Sequence, residues 1–231
     1  MRNSSFIGLL AGGFLMISSN SGQAATARPV VLELFTSQSC SSCPPADALL
    51  GELAARGDVL ALDFHVDYWD YLGWKDRFSS PANTARQRAY ASSLGVEVYT
   101  PQLVVDGGQT VVGSARADVE AAISKARAAQ RSVEVNLTRG DNGQVRITVA
   151  AGGGNGAVLL VGFDPHQETS IGGGENSGRK LTETNVVRGF SVAGHWSGAA
   201  ATIDAAAPAG ERLTALVQAP DGRIIGAATP L

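Results

Sequence analysis

The stretch "TSQSCSSCPPAD" (residues 36–47) follows directly on "VVLELF" (30–35). The chain has two cysteines, Cys40 and Cys43, and both lie in this stretch. "PVVLELF" (29–35) is a nearly unbroken run of strand formers, the pattern of a strand buried on both faces of a parallel sheet. "PPADALLGELAARG" (44–57) reads as a helix. Its prolines suit a first turn, Asp47 complements the positive helix start, Leu49, Leu50 and Leu53 share a face, and Gly57 is a natural stop. "DVLALDFHV" (58–66) is a second apolar strand. Strand, helix and strand with short links form a βαβ unit, whose strands are parallel neighbours. The cysteine pair therefore stands where the first strand hands over to the helix.

That position has chemical consequences. A helix start carries unpaired N–H groups and partial positive charge, which favour a thiolate, the reactive form of cysteine. Cys40 is thus the expected attacking thiol, with its sulfur facing solvent. Cys43, read as one helical turn further on, is the shielded resolving thiol that attacks a mixed disulfide and frees the partner. A disulfide closing so short a loop adds little stability, so the spacing suits redox cycling better than stapling. Two other readings stay open. The pair could hold Cu(I) with His65 as a third ligand, although a closed zinc site would need four ligands and the sequence has no further cysteine. The pair could also be an inert disulfide.

The chain has 231 residues and a net charge of -3, with no basic run, so a nucleic-acid partner is not expected. Its start reads as an export signal over residues 1–27. Arg2 supplies a positive end, "FIGLLAGGFLMI" (6–17) a short apolar core, and Ala25 and Ala27 a small-residue cleavage site; cleavage after Ala24 is the second choice. The apolar core is too short to span a bilayer, so no membrane span is expected after cleavage. The expected location is the periplasm or the exterior, where thiols form disulfides.

Further on, "DYWDYLGWKDRF" (67–78) is an aromatic insertion and "SPANTARQRAYASSLG" (80–95) a helix. "VYTPQLVVDGGQTVVGS" (98–114) reads as a hairpin, and "ARADVEAAISKARAAQ" (115–130) as a closing helix with Val119, Ile123 and Ala126 inward. From about Ser132 the texture changes. "SVEVNL" and "QVRITV" alternate at period two around "RGDNG", and "GAVLLVGFD", "NVVRGFSVAG", "ERLTALVQA" and "GRIIGAATP" read as further strands. The expected architecture is an α/β part over 28–130 followed by an all-β, sandwich-like module over 131–231. A "GGGENSGRK" loop (172–180) interrupts that module, with Glu175, Arg179 and Arg188 as candidates for ion pairs between the two parts.

The N-terminal order resembles thioredoxin: strand, C-x-x-C at a helix start, helix, parallel strand, then Thr100-Pro101 before a hairpin and a last helix. The resemblance implies a thioredoxin-like domain over 28–130. It also implies a cis Thr100–Pro101 bond lying against the cysteines and exposing backbone to a substrate peptide. The chain departs from thioredoxin in having Ser39 before the first cysteine, Ser41-Ser42 between the pair and Pro44-Pro45 after it. "VLELFTSQSCSSCPPAD", "FHVDYWDYLGWKDRF", "YTPQLVVDG" and "GENSGRKLTETNVVR" together are similar to a family of secreted bacterial proteins of unknown function with a thioredoxin-like N-terminal part.

The activity implied is thiol–disulfide exchange on protein or small-thiol substrates, without an organic cofactor, electrons coming from a partner redox protein. Glu33, alone in an apolar strand, is a candidate proton shuttle; alternatively it faces solvent or pairs with an Arg. His65 and Trp69 follow the second strand, at the sheet edge where open α/β folds bind ligands, and are candidate substrate contacts. Alternatively the aromatics pack as a small core and Asp67 satisfies His65.

Overall fold

The structure is a computed structural model that describes residues 1, 28–129, 132–140 and 143–231. The export signal expected over 1–27 lies, past Met1, outside the described residues. Strand β1 (Val30–Thr36) is buried along its whole length, as its unbroken apolar run requires. Helix α1 (Pro44–Ala54) follows, then β2 (Val59–His65), parallel to β1 with Val30 opposite Val59. Helix α2 (Pro81–Leu94) begins at Ser80, whose side chain accepts from Asn83 N, and ends at Gly95, left-handed at φ 65°. Strands β3 (Gln102–Val105) and β4 (Gln109–Val112) form the expected hairpin, and α3 (Arg116–Ala128) closes the first part.

Seven strands follow: β5 (Val135–Arg139), β6 (Gln144–Val149), β7 (Gly156–Ser170), β8 (Lys180–Trp196), β9 (Ala201–Ala206), β10 (Arg212–Gln218) and β11 (Ile224–Ala227). They divide between two sheets. One is eight-stranded and mixed, in the order β11-β10-β7-β8-β2-β1-β3-β4; the other is three-stranded, β5-β6-β9. The sandwich expected over 131–231 takes a different form from a free-standing module. The small sheet does pack face to face on β7, β10 and β11, sharing a core of Val135, Ile147, Leu160, Ala215 and Ile225. The same three strands and β8, however, also carry the large sheet on from β2, joined by the parallel pair Asp63–Val186.

Side-chain alternation along β1 separates two further core layers. Val30, Leu32 and Leu34 face α1 and α3, packing on Leu49, Leu50, Leu53, Val119 and Ile123. Val31 and Phe35 point the other way, into a layer with Phe64, Tyr90 of α2, Val161, Phe163 and Leu216. That second layer spans both parts of the chain. No helix among the described residues is long and apolar enough to cross a membrane.

Candidate functional site

Cys40 and Cys43 form a disulfide with Cα atoms 5.4 Å apart. The connecting turn is built by Cys40 N donating to Ser37 O (3.1 Å) and Cys43 N donating to Cys40 O (3.2 Å). Cys43 is the N-cap of α1 and not, as the spacing implied, a turn inside it. The next two residues are prolines and offer no N–H, and the amides of Ala46 and Asp47 donate to Cys43 O at 2.8 and 3.1 Å. The free helix-start donors expected for a thiolate are therefore largely removed or occupied. Hydroxyls take their place. Thr100 Oγ1 donates to Cys40 Sγ at 3.4 Å, and Ser42 Oγ lies 3.3 Å from the same sulfur, which in the disulfide has no hydrogen and can only accept. Trp69 Nε1 donates to Thr100 Oγ1 at 2.8 Å and so fixes the hydroxyl. The Thr100–Pro101 bond is cis. Three of the expected residues, Cys40, Thr100 and Trp69, thus meet at one point, with Pro101 next in the chain.

Cys40 does not face solvent: it is 1% exposed and Cys43 0%. Part of the cover comes from the tip of the β7–β8 hairpin. Asn176, fully buried, donates its amide to Gln38 O and to Cys40 O, each at 2.9 Å, and its own oxygen accepts from Arg179. Glu175 accepts from Ser41 N at 3.0 Å. That bond holds the Glu175 carboxyl below its usual range. The ion pairs expected of this loop are not what ties it down. Arg188 pairs with Asp164 at 2.6 Å, within its own hairpin, and Arg179 braces Asn176.

Behind the cysteines, the even-numbered side of β1 and the odd-numbered side of β2 place Thr36, Asp63 and His65 against the start of α1. Thr36 Oγ1 donates to Asp47 at 2.7 Å. His65 bonds Asp76 through Nδ1 (2.6 Å) and Asp63 through Nε2 (3.3 Å). Asp76 also accepts from Gln38 N, and Gln38 Nε2 donates to Glu183 at 2.8 Å. All of these groups are buried. Burial opposes charge on His65, but Asp76 and Asp63 prevail and raise its pKa well above the ordinary value. For Asp76, burial works against the charge too, and His65 with the amides of Gln38 and Phe78 brings its pKa below the ordinary value. Burial raises Asp47, Asp63 and Glu183. The cluster therefore holds an Asp76–His65 ion pair beside acids whose burial shifts them toward their neutral form.

His65 is consequently a buried ion-pair member and not a surface contact, at 1% exposure, and its partners are Asp76 and Asp63, not Asp67. Both ring nitrogens are engaged, which leaves it poorly placed as a third ligand beside the cysteines. Among the described residues no group of three or more His, Cys, Asp or Glu could hold a metal ion. Glu33 lies on the opposite face of β1, toward α2. Arg86 donates to both its oxygens at 2.7 and 3.0 Å, and Tyr90 donates to it as well. It is a buried ion-pair partner for α2, not a neighbour of the sulfurs. A cavity of about 1020 Å³ opens on this side, between α2 and the β7–β8 hairpin, with Arg86, Tyr90, Phe190 and Trp196 in its wall.

The site was partly hidden from the sequence. Asp63 was not singled out, although its spacing of two from His65 in a buried strand puts both on one face. Asp76, Asn176 and Glu183 are brought in by tertiary structure and were not singled out in the sequence; Glu175, expected in an ion pair between the two parts, instead accepts from the Ser41 amide.

Residues 31–218 match the family described as "Protein of unknown function (DUF1223)". Among solved structures, the chain is similar to a crystal structure of a protein from Agrobacterium tumefaciens, with 32% identity and a TM-score of 0.77 over 90% of this chain and 96% of that one. No curated protein matches.

Proposed function

Because the chain belongs to this family of unknown function, DUF1223, its activity has to be read from its own site, and we propose that it is an exported thiol–disulfide oxidoreductase built on a thioredoxin-like N-terminal part. The observation that carries this reading is the seating of Cys40. Its sulfur ends a hydrogen-bonded chain from Trp69 through Thr100, at the turn that opens α1. The strand order β2-β1-β3-β4, with α1 and α3 on one face and α2 on the other, supports the thioredoxin-like description. The apolar start of the sequence supports export to the periplasm or the exterior.

From the disulfide form, a substrate thiolate attacks Cys40 Sγ. The S–S bond breaks, a mixed disulfide forms at Cys40, and Cys43 leaves with the bonding electron pair and takes up a proton. A second substrate thiol then attacks the mixed disulfide and releases Cys40. The substrate has lost two electrons and two protons, and the pair has gained them. Thr100 and Ser42 stabilise the charge on Cys40, and the backbone at Thr100-Pro101 receives the substrate chain. No organic cofactor enters these steps; a partner redox protein resets the pair.

One observation favours a second reading, a passive disulfide: neither cysteine is more than 1% exposed. The reduction potential separates the two. Structural disulfides lie below about -300 mV, whereas exchange-active ones lie higher. A potential above that level, with Cys43→Ser accumulating mixed disulfides and Cys40→Ser accumulating none, is the expected result. A potential below it, with no trapped species, supports the passive reading.

A further inference from the structure

The tip of the β7–β8 hairpin is poorly explained as a simple turn. It lies far in sequence from the cysteines yet makes three hydrogen bonds to the backbone of their loop. Asn176 binds the carbonyls of Gln38 and Cys40, and Glu175 binds the amide of Ser41, between the two cysteines. Asn176 is 0% exposed although it sits in a loop of glycines and charged residues. A buried amide side chain is kept where both its hydrogens and its oxygen are satisfied, and here all are. Its removal would leave Gln38 O and Cys40 O without these bonds.

The charges set a direction. In the disulfide form the sulfurs are neutral, and the Glu175 carboxylate has the Ser41 N–H to itself. Reduction by a dithiol breaks the S–S bond, oxidises the dithiol to its own disulfide and places up to one negative charge on Cys40. That charge then sits one residue from the amide that Glu175 occupies. The two anions repel each other across this short separation; Glu175 and Ser41 lie at the exposed rim of the loop, so solvent screens the repulsion in part. Gly174 (φ 66°) and Gly178 (φ 81°) flank the anchoring pair in the left-handed region that glycine adopts freely.

We infer that residues 172–178 form a redox-sensitive strap, latched by Asn176 and Glu175 over the cysteine loop in the disulfide form and released when the pair is reduced. The strap regulates the site assigned above to thiol–disulfide exchange, and its use in turnover rests on that reading, but its release depends only on the state of the two sulfurs.

Hydrogen–deuterium exchange of the full chain, compared before and after reduction with dithiothreitol, tests this. Thiol titration confirms the state of the pair in each sample. Exchange over 172–179 should rise about tenfold on reduction, whereas the β5–β6 hairpin should not change. Glu175→Gln removes one anion and should shrink the rise to about threefold or less. Asn176→Ala should show fast exchange already in the disulfide form and faster reduction by dithiothreitol. Equal protection of 172–179 in both states, with the thiols demonstrably free, overturns the strap. Release on reduction without any mixed disulfide trapped by Cys43→Ser keeps the strap and removes the exchange reading; trapping without release does the reverse.

Discussion

In the exchange reaction proposed above, Thr100 is the residue that tunes Cys40. The prolines at the start of α1 take away the backbone donors that would ordinarily face a thiolate, and the Thr100 hydroxyl stands in, 3.4 Å from the sulfur. A hydrogen bond to a charged group contributes about 1.5–3 kcal/mol. At about 1.36 kcal/mol per pKa unit, Thr100→Val should therefore raise the apparent pKa of the reactive thiol by about one to two units. The readout is alkylation rate against pH in reduced protein, with Thr100→Ser restoring the original profile. An unchanged profile in Thr100→Val would show that the hydroxyl only packs. The cysteines and Thr100 were legible because their chemistry lies in short local motifs. The hydroxyl's part was not, since Trp69 and Thr100 meet only when the aromatic insertion folds over the end of the sheet. Glu33 misled for the opposite reason. A carboxylate in an apolar strand does signal burial with a partner, but the alternation of β1 turns it away from the cysteines and onto Arg86.

Elements were legible where the backbone itself supplies a stop. Ser80 and Gly95 bound α2, and the cysteine turn bounds α1, each close to its expected limits. The long β7–β8 hairpin was not foreseen at its full length, because "HQETS" and "KLTET" are polar runs with only one buried face. Strand β9, "ATIDAA", carries too few large apolar residues to declare itself. Helix α1 and strands β2 and β8 also matter to stability through the acids they bury, Asp47, Asp63 and Glu183. Asp47, Asp63 and Glu183 have raised pKa values when folded, so they bind protons more tightly in the folded state. They favour folding below their ordinary values near pH ~4, and that advantage is lost as pH rises through the raised ones. His65, also raised, acts the same way above its ordinary value of about 6.5. Asp76 is lowered, and its contribution disappears only as pH falls through that lowered value, in strong acid. The melting temperature of the disulfide form should therefore be higher near pH ~5 than near pH ~9, by more than about 2 °C. Asp47→Asn, which cannot titrate, should narrow the difference. A melting temperature that is flat or rises over this interval, or an unchanged slope in Asp47→Asn, would count against the cluster as the cause.

At the scale of the molecule, the composition shift near residue 131 marks a change of secondary structure but not the end of a core. Strand β8 joins β2 edge to edge, and one apolar layer runs from Val31 and Phe64 to Val161, Phe163 and Leu216. A strand edge and half of such a layer cannot be exposed without loss: each large apolar side chain contributes about 1.5–3 kcal/mol when fully buried. The hydrogen bonds of Asn176 to Gln38 and Cys40 add further ties between the two lengths of chain. The described residues should therefore unfold as one cooperative unit and not as two domains in sequence. Two signals separate the parts. Among the described residues the three α-helices all precede residue 131, so helical ellipticity reports the first part. In a Trp69→Phe, Trp74→Phe chain, the remaining tryptophan, Trp196, reports the second, since it is buried in the core between the two sheets. Denaturant curves from the two signals, recorded on the same disulfide-bonded variant, should share one midpoint and one slope. Helix loss at lower denaturant than the shift in Trp196 emission would mean that the sheet joins two domains that fold separately. In that case the cysteine loop could open without disturbing the strands behind it.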